Sequence, residues 1–201
     1  MERLTFEERN RDSYIKQENV PSGIVEKYTG VLPDELIAIW KTMGFGIFEN
    51  GFIQLINPDE YEFAFEYIDK LLEPSIIFGY TAMGDLLLWE GNKGWTISAD
   101  EGNRVKIINI RKCKSRALNS FKGTVDAFLD EYFISHKDYF DSKDYLEARE
   151  TLPKLEYGQC YGYVPALSLG GKASNKNLQV VDTKSYIEIV GQSVGKIIDL
   201  G

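Results

Sequence analysis

Histidine is nearly absent from this chain: His136 is the only one among 201 residues. A histidine-rich zinc site is therefore excluded, and no HExxH or paired-cysteine spacing supplies other ligands. A serine or cysteine nucleophile would have to borrow this single base, and no GxSxG elbow is present. Cysteine is scarce too. Cys113 and Cys160 are far apart, without metal-type spacing, and read as reduced thiols. No apolar run approaches the ~20 residues of a membrane span. The opening MERLTFEERNRD is polar and charged rather than a leader, so a cytoplasmic protein is expected. No repeat, low-complexity tract or Pro/Gly/Ser-rich linker divides the chain. Positive charge is in deficit, 23 Lys and Arg against 31 Asp and Glu, for a net charge of −8. Such a chain repels phosphate backbones, so no direct nucleic-acid ligand is expected; a basic protein partner suits it better. Paired carboxylates occur throughout a chain this acidic, so a two-acid glycosidase pattern has no specificity here. No catalytic residue, cofactor or metal site is assigned.

What is present is organised around residues 79–94, GYTAMGDLLLWEGNKG. Two apolar, β-rich runs, Ile76–Thr81 and Leu86–Glu90, flank the turn Met83-Gly84-Asp85 and predict a hairpin. Leu86–Trp89 does not alternate, as expected of a strand covered on both faces. Further strands are predicted at Trp95–Ala99 and Arg104–Ile110, continuing an antiparallel meander. Upstream, Ser22–Tyr28 reads as a short helix ended by Gly30. A second runs from Pro33 to Gly44 with Leu36, Ile37, Ile39, Trp40 and Met43 inward. A hairpin follows around Asn50-Gly51. Asn57-Pro58 then opens a helix with Tyr61, Phe65, Ile68 and Leu72 on one face. Residues 1–19 carry nothing diagnostic beyond a short helix or an arm.

Downstream, Arg111–Arg116 is the only basic cluster, read either as solvated charge closing an edge strand or as a contact for phosphate or an acidic partner. Ser120–Ser135 predicts an amphipathic helix with Val125, Phe128, Leu129, Tyr132 and Phe133 inward. Residues 137–150 predict another, and together they form the densest acidic region. It is either a solvated face or a docking patch. A last helix is predicted over Thr183–Ile197, with Tyr186, Ile189, Val190 and Val194 inward.

Two phosphate-loop look-alikes fail. Gly44-Phe45-Gly46 follows a helix rather than a strand, and Glu49 stands at the third glycine position. Gly170-Gly171-Lys172 has Ala166 in place of the first glycine and Ala173 in place of the Ser/Thr that would hold magnesium. Asp85 is either an acid or metal ligand or a turn residue bonding its own backbone.

Thr81–Gly91 (TAMGDLLLWEG) and Tyr157–Gly171 (YGQCYGYVPALSLGG) resemble two signatures of bacterial immunity proteins paired with type VI secretion DNase effectors. In these an N-terminal GAD-like domain precedes a Tdi-type C-terminal domain. Leu32–Tyr61 resembles the GAD-like part, and the first half is more loosely similar to the SUKH superfamily of toxin-neutralising proteins. The chain departs from the pattern at Met83, where Phe is usual, and at Gln159-Cys160, which replaces a more acidic stretch. The resemblance implies an α+β fold: a central antiparallel meander of about five or six strands packed with N- and C-terminal helices. It implies a GAD-like part at 1–115 and a Tdi-type part at 116–201, packed as one unit. It implies a non-enzymatic protein whose partner is a cognate effector toxin, a basic nuclease domain by expectation, blocked by occlusion. The exposed acids Asp126, Asp130, Glu131, Asp138, Asp141 and Asp144 are then the candidate partner-binding residues. The alternative is a ligand-binding protein or enzyme with a pocket beside Asp85 and the Tyr157–Gly171 string.

Overall fold

Seven strands cross a sheet in the order in which the chain makes them. They are β1 (Ile15–Glu18), β2 (Phe45–Phe48), β3 (Ile53–Leu55), β4 (Ser75–Thr81), β5 (Leu86–Glu90), β6 (Arg104–Asn109) and β7 (Lys114–Leu118). Each neighbouring pair is antiparallel. A separate ribbon pairs β8 (Gln159–Tyr163) with β9 (Leu178–Asp182), and β10 (Ile198–Asp199) extends the large sheet in parallel to β7. Among the described residues, five α-helices accompany these strands: α1 (Phe6–Asn10), α2 (Ser22–Tyr28), α3 (Asp34–Thr42), α4 (Ser142–Thr151) and α5 (Thr183–Val194). The computed structural model describes residues 4–69, 71–91, 104–118, 129 and 141–199. The α+β meander is as expected, but wider than five or six strands.

The central hairpin explains itself residue by residue. Gly84 takes φ +77 in the turn, and the Thr81 amide donates to the Asp85 carbonyl at 2.9 Å, closing it. Leu87 and Trp89 enter one apolar cluster; Leu86 and Leu88 enter the other, on the opposite face. Both faces are covered, so the run needs no polar alternation. Each leucine is fully buried and stabilises the fold by roughly 1.5–3 kcal/mol. The first cluster is closed by α3 through Leu36, Ile37, Ile39 and Trp40. The second is closed by α5 through Tyr186, Ile187 and Val190.

Several expectations are corrected. The segment after Asn57 is a 3₁₀ helix, Pro58–Tyr67, so its buried residues Tyr61 and Ala64 fall three apart rather than four. Phe65 is half-buried and Leu72 exposed, while Ile68 ends the helix in a bridge to Ile197. In α5 the inward face carries Ile187 instead of Ile189, which stays 49% exposed. The opening residues take the short helix of the two alternatives, and a strand besides. Thr5 and Glu8 build a capping box on α1, and β1 follows. The predicted strand Trp95–Ala99 lies outside the described residues, and β5 pairs directly with β6. Leu129 apart, so does the predicted helix Ser120–Ser135, as do His136 and residues 137–140.

Candidate functional site

The two signature segments meet. The Tyr161 amide in β8 donates to the Ala82 carbonyl at 2.8 Å, and Cys160 lies against the Gly84 turn. A wholly buried glutamine, Gln54 of β3, fixes the same seam. Its side-chain oxygen accepts from the Tyr80 hydroxyl at 2.6 Å and from the Gly158 amide at 2.9 Å. Its nitrogen donates to the carbonyls of Gln159 at 3.0 Å and Glu156 at 3.3 Å. A buried amide with every group satisfied specifies one arrangement of the chain. The glycine-rich string is therefore packing. A Cβ at Gly162 would stand 2.9 Å from the Tyr186 ring, so only glycine fits there.

Beside this seam lies a buried charge network. Asp85 and Arg111 are both inaccessible to solvent, with Arg111 Nη2 3.5 Å from Asp85 Oδ1. Arg111 Nε donates to the Met83 carbonyl at 2.5 Å, and Nη2 donates to Asp141 at 2.8 Å. Lys112 Nζ also reaches Asp141, at 2.7 Å. Burial pushes the Asp85 carboxyl up to about 6, against the opposing pull of Arg111. Asp141 behaves oppositely: burial raises it, but Lys112 and Arg111 together hold it below the ordinary carboxylate range. Arg111 is raised, because the two aspartates outweigh its burial. Asp85 Oδ2 and Arg111 Nη1 are buried without a hydrogen-bond partner among the described residues. Asp85 thus sits in an internal ion pair, and Arg111 is not the solvated edge charge its sequence neighbourhood suggests. Burial raises the Cys113 thiol and pushes that of Cys160 up to about 12, which disfavours the thiolate at both.

Of the six acids singled out from sequence, Asp126, Asp130, Glu131 and Asp138 lie outside the described residues. Asp141 is turned inward on Arg111 and Lys112, and Asp144, in the first turn of α4, is partly exposed and has no partner among the described residues. Sequence reasoning missed a cleft of about 200 Å³ between β1, the Glu49–Gly51 turn and α4. Tyr145 and Arg149 both line it and are four apart on α4, the spacing that brings two side chains to one helix face.

The family model of the GAD-like domain matches residues 5–101, and that of the C-terminal domain of T6SS immunity protein Tdi1 matches residues 119–193. The chain joins a GAD-like domain to a Tdi1-type immunity domain. The seam through Gln54, Ala82 and Tyr161 therefore runs between the two matched regions. Among solved structures, the crystal structure of Atu4351 from Agrobacterium tumefaciens is similar, with a TM-score of 0.70 and 24% identity. That match covers 87% of this chain and 82% of that one, and at such identity it establishes the fold alone. No curated protein matches the chain. Among the described residues, no helix of this GAD-like/Tdi1-type protein is long and apolar enough to cross a membrane.

Proposed function

We propose that this protein is a cytoplasmic immunity protein that binds a cognate type VI secretion effector and blocks its active site by occlusion. The match of residues 119–193 to the Tdi1 C-terminal domain carries this reading. The effector is a nuclease domain with a basic cleft, a surface that the net charge of −8 favours electrostatically. We assign the contacts with that cleft to the acids Asp126, Asp130, Glu131, Asp138 and Asp144. Asp141, held by Arg111 and Lys112, orders the start of α4 instead. No cofactor takes part.

Co-expression of the effector's toxin domain with and without this chain tests the reading. Restored growth, together with inhibition of the purified toxin at one equivalent of this protein, is the expected result. Continued growth arrest with both proteins soluble and expressed would overturn it.

A further inference from the structure

We propose that the cleft between β1, the Glu49–Gly51 turn and α4 receives an extended acidic segment of the effector, whose carboxylate is held by Arg149 and Lys154. The proposal rests on the immunity reading and names a second contact for the same partner.

Charge is the first argument. The chain is acidic overall, yet the charged residues lining this cleft are Arg149 and Lys154, and neither forms an ion pair among the described residues. A guanidinium beside an ammonium suits a carboxylate, to which Arg can donate two parallel hydrogen bonds. Size is the second. About 200 Å³ is smaller than the roughly 300–1,000 Å³ of small-molecule and cofactor sites, so one or two side chains of a protein fit better. The rest of the lining joins apolar and aromatic side chains, Ile15, Ile47, Leu155, Tyr145 and Tyr161, to the polar Ser13 and Asn50. Ile15 is 62% exposed, which gives the acidic residue's apolar neighbours a place to rest.

The floor is built in advance. The Tyr145 hydroxyl donates to the Asn50 carbonyl and the Tyr161 hydroxyl to the Pro153 carbonyl, each at 2.9 Å. The Phe52 ring packs 4.6 Å from that of Tyr145. Side chains already ordered lose little freedom on binding, and Tyr and Arg are the types that dominate interface energetics.

The rim is strained. Glu49, Asn50 and Gly51 take φ of 49°, 56° and 98° in succession, the first two without glycine's freedom. The Asn10 side chain accepts from the Glu49 amide at 2.6 Å, and Arg9 holds the Glu49 carboxylate at 3.0 Å. Tyr145 completes the restraint from the other matched region. Left-handed backbone at a non-glycine residue is unfavourable and persists where the surroundings over-determine it, characteristically at binding sites.

Calorimetric titration of a catalytically inactivated effector domain into wild-type protein and into R149E/K154E tests the proposal. Both side chains are exposed, so the double variant is expected to melt as wild type does while binding 10- to 100-fold more weakly. A lysine replacing one acidic residue of the effector should restore much of the loss. Hydrogen exchange of the wild-type complex gives a reading free of any variant, with protection expected at residues 13–15 and 49–51. Affinity within twofold of wild type, or unchanged exchange at those residues, overturns the proposal alone. A wild-type protein that neither binds nor protects overturns the immunity reading, and this proposal with it.

Discussion

The amide of Tyr161 donates to the carbonyl of Ala82 across 2.8 Å, which makes the β8 ribbon an extension of the central turn rather than an appendage. Gly84 sits at the closest approach, where an added Cβ would lie 3.1 Å from Cys160 Sγ at φ +77. Gly84→Ala is expected to cost about 1–2 kcal/mol from the left-handed backbone alone. Urea unfolding checks it. Cys160→Ala in the same background should return only the contact part of the loss, leaving the backbone part.

Gln54→Leu removes the acceptor of Tyr80 and Gly158 and the donor to Gln159 and Glu156. Leaving a buried partner unmatched costs about 1–3 kcal/mol, and four bonds are lost, so a destabilisation of at least about 4 kcal/mol is expected. A stability change below about 0.5 kcal/mol in chemical denaturation would mean that water replaces the clamp.

Asp85 gives a pH dependence of defined sign. Its carboxyl is raised in the folded protein to about 6, from 3.8. The native state therefore holds this proton more tightly than the unfolded chain does. The stability it contributes is complete below pH 3.8 and is lost as pH rises through 6. At most about 3 kcal/mol is involved. Asp85→Asn should remove this component, so that wild type minus variant falls between pH 4 and 7 in parallel urea titrations. A flat difference curve would show that Arg111 fully compensates the charge.

Reversing Asp126, Asp130, Glu131, Asp138 and Asp144 to lysine should slow association with a basic effector about tenfold and flatten its salt dependence. Stopped-flow association at two ionic strengths measures both. Asp141→Lys should behave differently. It breaks the contacts to Arg111 and Lys112 and is expected to lower the melting temperature rather than the association rate alone.

The hairpin of Ser75–Thr81 and Leu86–Glu90 was legible because its turn chemistry and its unbroken apolar run each have one structural meaning. The capped start at Asn57-Pro58 was also legible, but not its helix type, because aromatic residues three and four apart fit either helical period. Ile189 and Ile187 are equivalent in composition, and only the tertiary partner decides which turns inward. The Arg111 pairing was invisible for another reason: Asp85 and Asp141 are brought to it by topology, and no local pattern in a chain rich in charge marks that meeting. The cleft escaped likewise, since its two walls come from segments far apart in the sequence.

The chain-order meander has a consequence for synthesis. Its seventh strand ends at Leu118, while β8 and α5, which cover Tyr80, Leu86, Leu88 and Ile108, are encoded after residue 158. At ~5–20 residues per second the ribosome needs roughly 4–15 s to pass from Leu118 to the end of α5 at Val194. For those seconds the nascent sheet has one face covered by α3 but still lacking Tyr145, Tyr161 and Leu178, and one that only the 3₁₀ helix can shield. Yield in the cell is then governed by what meets that face before the tail arrives, and chaperones that hold apolar surface are its natural custodians.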